Sequence, residues 1–194
     1  AISQFIPLQI AQATAGIAGF DDDEIWIAVF GQEIPAPAEG VIPAAGMTYY
    51  LDATQLSGSG ASATPIPIST ATLSVGPGTA DQAILPSFTL AQWKNASTAW
   101  GSNLQFPIPA LGSQYTGRIV ISVGAPVQAQ VSNAAPYTVA APTPASATDV
   151  SNGTFYDFLE FTVNNATPAN GGLTLDMDTS QVDAFGLPMQ LQFF

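Results

Sequence analysis

Short alternating runs broken by proline recur along the whole chain of 194 residues. Sixteen prolines interrupt the sequence, and each removes a backbone donor that a helix interior or a central strand needs. The clearest runs carry an apolar side chain at every second position, which is typical of half-buried strands. The sequence therefore predicts an all-β fold, an antiparallel sandwich or barrel with little helix, as a single domain over 1–194.

Individual strands can be placed from these runs. FIPLQI at 5–10 and EIWIAVFG at 24–31 are predicted strands, and we expect them to form a hairpin across a long connection. GRIVISVGAPV at 117–127 is the cleanest candidate for a central strand. The stretch AQWKNASTAWGS at 91–102 is irregular, with room for one helical turn.

The charge balance excludes several functional classes. The chain has 14 acidic residues, two basic residues (Lys94 and Arg118) and no histidine, for a net charge of −12. A nucleic-acid footprint needs clustered cations, and anionic lipid surfaces attract them as well, so neither partner is expected. No apolar run is long enough to insert in a membrane. The absence of histidine and cysteine excludes Ser-His-Asp catalysis and thiolate metal sites.

Two carboxylates in the last forty residues are the candidate catalytic groups. Glu160 and Asp183 each lie in an apolar, strand-like run. Carboxylates in such surroundings either carry out acid/base chemistry or stabilise the fold, and Asp183 could equally accept backbone N–H bonds in the turn before Phe185. Trp93 and Trp100 lie in an irregular stretch, where they could stack on sugar rings or pack internally.

Acidic residues near the N-terminus raise the question of a metal. Asp21, Asp22 and Asp23 precede a strand together with Glu24, and Ca²⁺ binds several carboxylate oxygens. Their spacing matches no EF-hand loop, so a solvated turn is the favoured interpretation and no other cofactor is predicted.

Three segments resemble a known group of proteins. GRIVISVGAPV, FYDFLEFTV and QVDAFGLPM resemble the glycoside hydrolase family 64 β-1,3-glucanases and the related thaumatin-like proteins. The resemblance implies a thaumatin-like sandwich of about ten antiparallel strands. It also implies that Glu160 is the general acid and Asp183 the general base of an inverting glucanase. Thr162, Thr179 and Ser180 would then contact the sugar.

The sequence also departs from those glucanases. It ends at QLQFF, where the glucanases continue into a second, mixed α/β lobe that walls the substrate groove. A surface with so few charges has little to prevent self-association, and it leaves sheet edges unguarded. The main hypothesis is therefore a secreted, non-catalytic subunit of an extracellular filament or surface layer, with copies of itself as partners. The alternative is a β-1,3-glucan hydrolase or glucan-binding module that uses Glu160 and Asp183.

Overall fold

A computed structural model of the chain describes residues 4–8, 20–34, 48–54, 66–67, 74–75, 82–97, 104–108, 114–132, 139–140, 146–149, 151–164 and 174–178. These residues form thirteen strands and one helix: β1 Gln4–Leu8, β2 Ile25–Ile34, β3 Thr48–Tyr50, β4 Ile66–Pro67, β5 Ser74–Val75, β6 Gln82–Ile84, β7 Phe88–Thr89, α1 Leu90–Ser97, β8 Leu104–Ile108, β9 Gln114–Val123, β10 Gln130–Ser132, β11 Val139–Ala140, β12 Phe155–Asn164 and β13 Thr174–Asp178. The described pairs are all antiparallel. The prediction of a mostly β, antiparallel fold with little helix is confirmed.

The described strands form three sheets. The largest has seven strands in the order β13-β12-β9-β2-β3-β4, with β7 also paired to β2. A four-stranded sheet has the order β11-β10-β6-β5, and β1 pairs with β8. Strand β9 lies at the middle of the largest sheet and pairs over ten residues with β2 on one side and with β12 on the other. The run at 117–127 is thus central, as predicted.

The seven-stranded sheet buries apolar side chains on both of its faces. One face carries Ile27, Ile119 and Leu159, which pack in a cluster with residues of α1; we call it the helix face. The opposite face carries Val120 and Phe158, which pack in a second cluster with residues of the four-stranded sheet; we call it the sheet face. Because successive side chains of a strand alternate between faces, one run such as RIVIS supplies both clusters.

Helix α1 covers the helix face. It begins with a capping box, in which Gln92 N donates to Thr89 Oγ1 (3.2 Å) and Thr89 N donates to Gln92 Oε1 (2.8 Å). Leu90 and Trp93, three residues apart, point the same way and are fully buried in the core. The capping box explains why eight helical residues form where the sequence suggested one turn. No described helix is long and apolar enough to cross a bilayer.

The four-stranded sheet covers the apolar part of the sheet face. Val131 of β10 and Leu85, just after β6, are each 1% exposed and contact the cluster of Val120 and Phe158. A backbone hydrogen bond from Leu85 N to Ala129 O (3.0 Å) ties these segments together. Two layers of strands therefore enclose this cluster.

The predicted hairpin between the first two strands is wrong. Strand β1 pairs with β8, from Gln4 opposite Ile108 to Leu8 opposite Leu104. The physical reason lies in β2, whose two edges are already occupied by β9 on one side and by β3 and β7 on the other. A strand has only two hydrogen-bonding edges, so β1 pairs elsewhere.

A pair of glycines lets aromatic rings cover the end of the helix face. Gly31 and Gly117 lie directly opposite each other on β2 and β9. A Cβ on Gly31 would lie 2.6 Å from Tyr115 Cζ, and a Cβ on Gly117 would lie 2.7 Å from Phe161 Cζ. The two rings occupy the space that side chains at these positions would fill, so aromatic side chains cover this part of the helix face.

Candidate active site

The sheet face becomes polar toward one end of β9 and β12. Arg118 lies opposite Glu160, and Thr116 lies opposite Thr162, in two adjacent rows across these strands. The rows follow Phe158 by two and four residues along β12, so their side chains share its face. Arg118, Glu160 and Thr162 are partly exposed and Thr116 is exposed, whereas Phe158 is buried. A half-exposed polar patch therefore adjoins the covered apolar cluster.

Glu160 and Arg118 form an ion pair at the centre of this patch. Arg118 Nε donates to Glu160 Oε1 at 2.6 Å, and Arg118 Nη2 lies 2.5 Å from the same oxygen. The guanidinium carbon of Arg118 lies 4.8 Å from the centroid of the Phe158 ring, within the range of a cation–π contact. The side chains of Arg118 and Glu160 remain 35% and 39% exposed. The carboxylate is thus fixed on one oxygen and accessible from solvent.

The two threonines add hydroxyl groups beside the ion pair. Thr116 Oγ1 and Thr162 Oγ1 are 3.1 Å apart and share a hydrogen bond. The predicted sugar contact Thr162 therefore lies on the same face as Glu160, as its spacing of two residues required. A hydroxyl both donates and accepts, so this pair can exchange its mutual bond for bonds to sugar hydroxyls.

Two further acids occupy register positions next to the patch. On β13, Asp178 is the partner of Glu160 and Asp176 is the partner of Thr162. Their spacing of two residues places them on one face of this strand. Partner positions of an antiparallel pair have Cα atoms about 4.5–5.5 Å apart. Two acidic residues therefore belong to β13, the outermost described strand on this side of the sheet.

Four predicted site residues lie outside the described part of the chain. The described residues end at Asp178, so Asp183, Thr179 and Ser180 are not among them. Trp100 falls in the undescribed range between α1 and β8. Their roles as base, sugar contacts and stacking ring stay predictions.

Trp93 belongs to the core. It is 0% exposed, its Nε1 donates to Ile27 O at 3.1 Å, and its ring meets Phe88 edge-on with centroids 5.9 Å apart. The prediction that Trp93 offers a ring to a sugar does not fit this position. The surrounding sequence looked irregular because the capping box was overlooked. Helix α1 directs the Trp93 side chain toward the sheet.

The N-terminal acids form a tight turn. Glu24 N donates to Asp21 O at 2.9 Å, and Asp21 N donates to Glu24 Oε2 at 3.0 Å. Lys94 of α1 binds Asp22, with Nζ 2.8 Å from Oδ1 and 2.7 Å from Oδ2. Among the described residues no group of three or more acids is placed to hold a metal ion. Asp22, one of the three candidate calcium ligands, instead anchors the helix.

Sequence reasoning missed Arg118 and Thr116, and it gave no role to Asp157. Arg118 interrupts an apolar strand, as Glu160 does, and that shared pattern was the signal.

Asp157 lies on the opposite face of β12 from Glu160, is 0% exposed and has no hydrogen-bond partner for Oδ2 among the described residues. Phe158 N donates to its Oδ1 at 2.8 Å. Burial raises the pKa of Asp157, and this backbone hydrogen bond lowers it by less.

Comparison with known proteins identifies the family. The sequence pattern of the glycoside hydrolase family 64 β-1,3-glucanases matches residues 5–194. The chain therefore belongs to this family, and the resemblance noted in its sequence is confirmed. No match was found among curated proteins.

Three solved structures are similar to this chain, and the first of them shares its fold. A laminaripentaose-producing β-1,3-glucanase from Paenibacillus barengoltzii is 21% identical with a TM-score of 0.50, over 86% of this chain and 31% of that one. The same type of enzyme complexed with laminarihexaose is 20% identical with a TM-score of 0.49, over 84% and 31%. A β-1,3-glucanase domain from Clostridium beijerinckii is 19% identical with a TM-score of 0.45, over 85% and 36%. The chain spans about a third of the length of these proteins.

The family membership corrects the main functional hypothesis. The sequence favoured a structural subunit of a self-associating filament or surface layer. A match to β-1,3-glucanases over 5–194 overturns that hypothesis, because nearly the whole chain, and not only three segments, follows the pattern of this family. A surface poor in charge was given too much weight, since low charge permits association without requiring it.

Proposed function

We propose that this chain is a β-1,3-glucan hydrolase domain, with Glu160 as general acid and Asp183 as general base. The observation that carries the proposal is the position of Glu160: a half-exposed carboxylate at the polar end of β12, in a chain whose sequence follows the family pattern over 5–194. Buried carboxylates hold folds together, whereas one held open beside hydroxyl groups is available to a substrate. Binding and cleavage of β-1,3-glucan are thus the activities to test.

The proposed reaction needs two carboxyl groups in different protonation states. Glu160 gives a proton to the glycosidic oxygen as its bond to the anomeric carbon breaks. Asp183 takes a proton from the water that forms the new bond on the opposite side of that carbon. Such inversion requires the carboxyl groups to be about 6.5–9.5 Å apart, which leaves room for the water. Since both contacts from Arg118 are to Oε1, Oε2 is the Glu160 oxygen that would carry the proton.

The remaining predicted site residues have supporting roles in this proposal. Thr162, with Thr116, would bond sugar hydroxyls beside the scissile linkage, as would Thr179 and Ser180. Trp100 would stack on a sugar ring, since an indole face suits the apolar face of a pyranose.

The test compares two isosteric substitutions on one strand. Glu160→Gln removes the proton donor, and Asp157→Asn makes the same chemical change on the opposite face. Incubation with laminarin and measurement of reducing ends should show turnover by the native chain. Loss of a general acid costs about 10²–10⁴-fold in rate, so Glu160→Gln should fall by that factor while Asp157→Asn stays within a few-fold of the native rate.

Other outcomes would limit or refute the proposal. Turnover that survives Glu160→Gln would contradict the acid assignment. Retention on immobilised laminarin without any turnover would favour a glucan-binding module. In an active chain, proton NMR of the first product anomer should show inversion, and a retained configuration would contradict the assignment of Glu160 as acid and Asp183 as base.

Three broader features are part of the same proposal. The covering of the sheet face by a second sheet supports a thaumatin-like β-sandwich as the architecture of a single domain over 1–194. Polymeric glucan is an extracellular substrate, which supports a secreted location. The proposed reaction uses no cofactor; calcium at Asp21, Asp22 and Asp23, the less favoured interpretation of these acids, would be checked by a calcium titration followed by thermal denaturation.

A further inference from the structure

Arg118 combines three features that set it apart from the rest of the polar patch. It is the direct cross-strand partner of Glu160, two of its nitrogens contact Oε1 of that carboxylate, and its guanidinium lies over the Phe158 ring. Phe158 is itself buried in the cluster under the four-stranded sheet. The carboxylate is therefore linked, through one planar group, to the rigid core.

This arrangement restricts Glu160 more than a simple surface ion pair would. Glutamate has three rotatable side-chain bonds, and an isolated exposed pair loses much of its benefit to the entropy of ordering them. Here the planar guanidinium is already oriented by the ring beneath it, so its fork presents donors in a fixed direction. Because Oε1 is held, the orientation of the carboxylate is fixed, and the hydrogen bond from Arg118 leaves Oε2 available to a substrate.

The charge around the patch gives Arg118 a second effect. The full sequence contains two basic residues against 14 acidic ones, and the other one, Lys94, contacts Asp22 on the opposite face of the sheet, where α1 packs. Near Glu160, β13 contributes the register positions of Asp176 and Asp178. Removal of Arg118 would leave these acids and Glu160 without the only arginine of the chain.

We propose that Arg118 is a positioning residue for the acid step: it fixes Oε1 of Glu160 so that Oε2 faces the glycosidic oxygen. It contacts Glu160 and need not contact the sugar. The proposal rests on the proposed function for its catalytic part, whereas the contact that holds Glu160 can be tested without activity.

Three variants of the full chain separate these effects. Arg118→Met removes charge and donors, Arg118→Lys keeps the charge but not the planar fork, and Lys94→Met makes the same change of net charge at the other ion pair. The readouts are kcat and KM on laminarin. A third readout is ¹³C NMR of glutamate carboxyl groups, which is simple because the chain has four glutamates; Glu160→Gln identifies the Glu160 signal.

Arg118→Met should lower kcat by about 100-fold, the effect of misplacing a reacting group by an ångström, with a smaller change in KM. Loss of both nitrogen contacts changes the surroundings of the carboxylate, so the Glu160 carboxyl signal of Arg118→Met, recorded at one fixed pH, should differ from that of the native chain. Arg118→Lys should recover part of kcat, because it keeps the charge but not the planar fork. Lys94→Met should leave kcat, KM and the Glu160 signal unchanged.

Different results would contradict different parts of the proposal. Native-like kcat in Arg118→Lys, together with a Glu160 carboxyl signal in Arg118→Met that matches the native one, would overturn the role of Arg118. Should Arg118→Met not fold, native-like kcat in Arg118→Lys overturns positioning on its own. If the native chain has no activity, the proposed function fails, and the Glu160 signal still decides whether Arg118 holds Glu160.

Discussion

The two faces of the seven-stranded sheet differ in where their apolar character ends. On the helix face it continues along β9 from Ile121 to Tyr115 and along β12 from Leu159 to Phe161, and the rings of Tyr115 and Phe161 are 5.9 Å apart. On the sheet face it stops after Phe158 and Val120, and Arg118 and Glu160 follow at once. The same strands therefore supply a continuous core on one side and a polar patch on the other.

Two carboxylates on β12 illustrate the difference between the two faces. Asp157 and Glu160 are three residues apart and point to opposite faces. Asp157 is fully buried, and that burial raises its pKa, whereas Glu160 has a solvent-exposed edge and an arginine partner. The comparison teaches that sequence environment is a poor guide to a carboxylate's role here, since both lie in the apolar run FYDFLEFTV. What covers each face decides which acid is available.

The strongest test of the helix face is Trp93→Ala. Removing a fully buried aromatic residue leaves a cavity and costs about 3–5 kcal/mol of the free energy of unfolding, and the Ile27 carbonyl loses its donor as well. Phe155→Ala is the matched control, because Phe155 is 69% exposed and should change stability by less than about 0.5 kcal/mol. Urea unfolding followed by circular dichroism measures both. A loss under about 1 kcal/mol for Trp93→Ala would contradict the packing of α1 against the sheet.

A smaller loss of stability is expected at Gly117, where the Phe161 ring covers the strand. In Gly117→Ala the new Cβ would lie 2.6 Å from Phe30 O and 2.7 Å from Phe161 Cζ, so strands or ring must shift. Overpacking of this kind costs about 1–3 kcal/mol. Thr116→Ala, at the next position but on the exposed end of the sheet face, should cost about 0.5 kcal/mol or less. Equal melting temperatures for the two variants would mean that the faces do not differ in packing.

The smallest effect concerns the pH dependence of stability. Because burial raises the pKa of Asp157 above its ordinary 3.8, the folded chain holds this proton more tightly than the unfolded chain. The stability that it contributes is complete below the ordinary value and is lost as pH rises through the raised pKa. Asn cannot ionise, so Asp157→Asn should become progressively more stable than the native chain on going from pH ~4 to ~7. A stability difference that is constant with pH would contradict the desolvation of Asp157.

The sequence predicted the strands better than it predicted their partners. Alternation in RIVIS and FYDFLEFTV placed β9 and β12, because a strand's period of two is a local property. The partner of β1 was predicted wrongly, since pairing depends on which edges other strands have already occupied. For the same reason the pairing of Arg118 with Glu160, 42 residues apart, was not foreseen. Trp93 was assigned to an irregular stretch because a helix of eight residues is too short for its periodicity to be recognised in the sequence.

What the sequence determined by itself is the chemistry that the chain can use and the family to which it belongs. Without histidine or cysteine, carboxylates are left as acids and bases, and motifs such as FYDFLEFTV carry family membership because they are local strings of residues. The tertiary structure alone decided that Glu160 is accessible, that Asp157 is not, and that Arg118 holds Glu160. Those properties arise from register and from the layers packed on each face, which bring together residues that are distant in the chain.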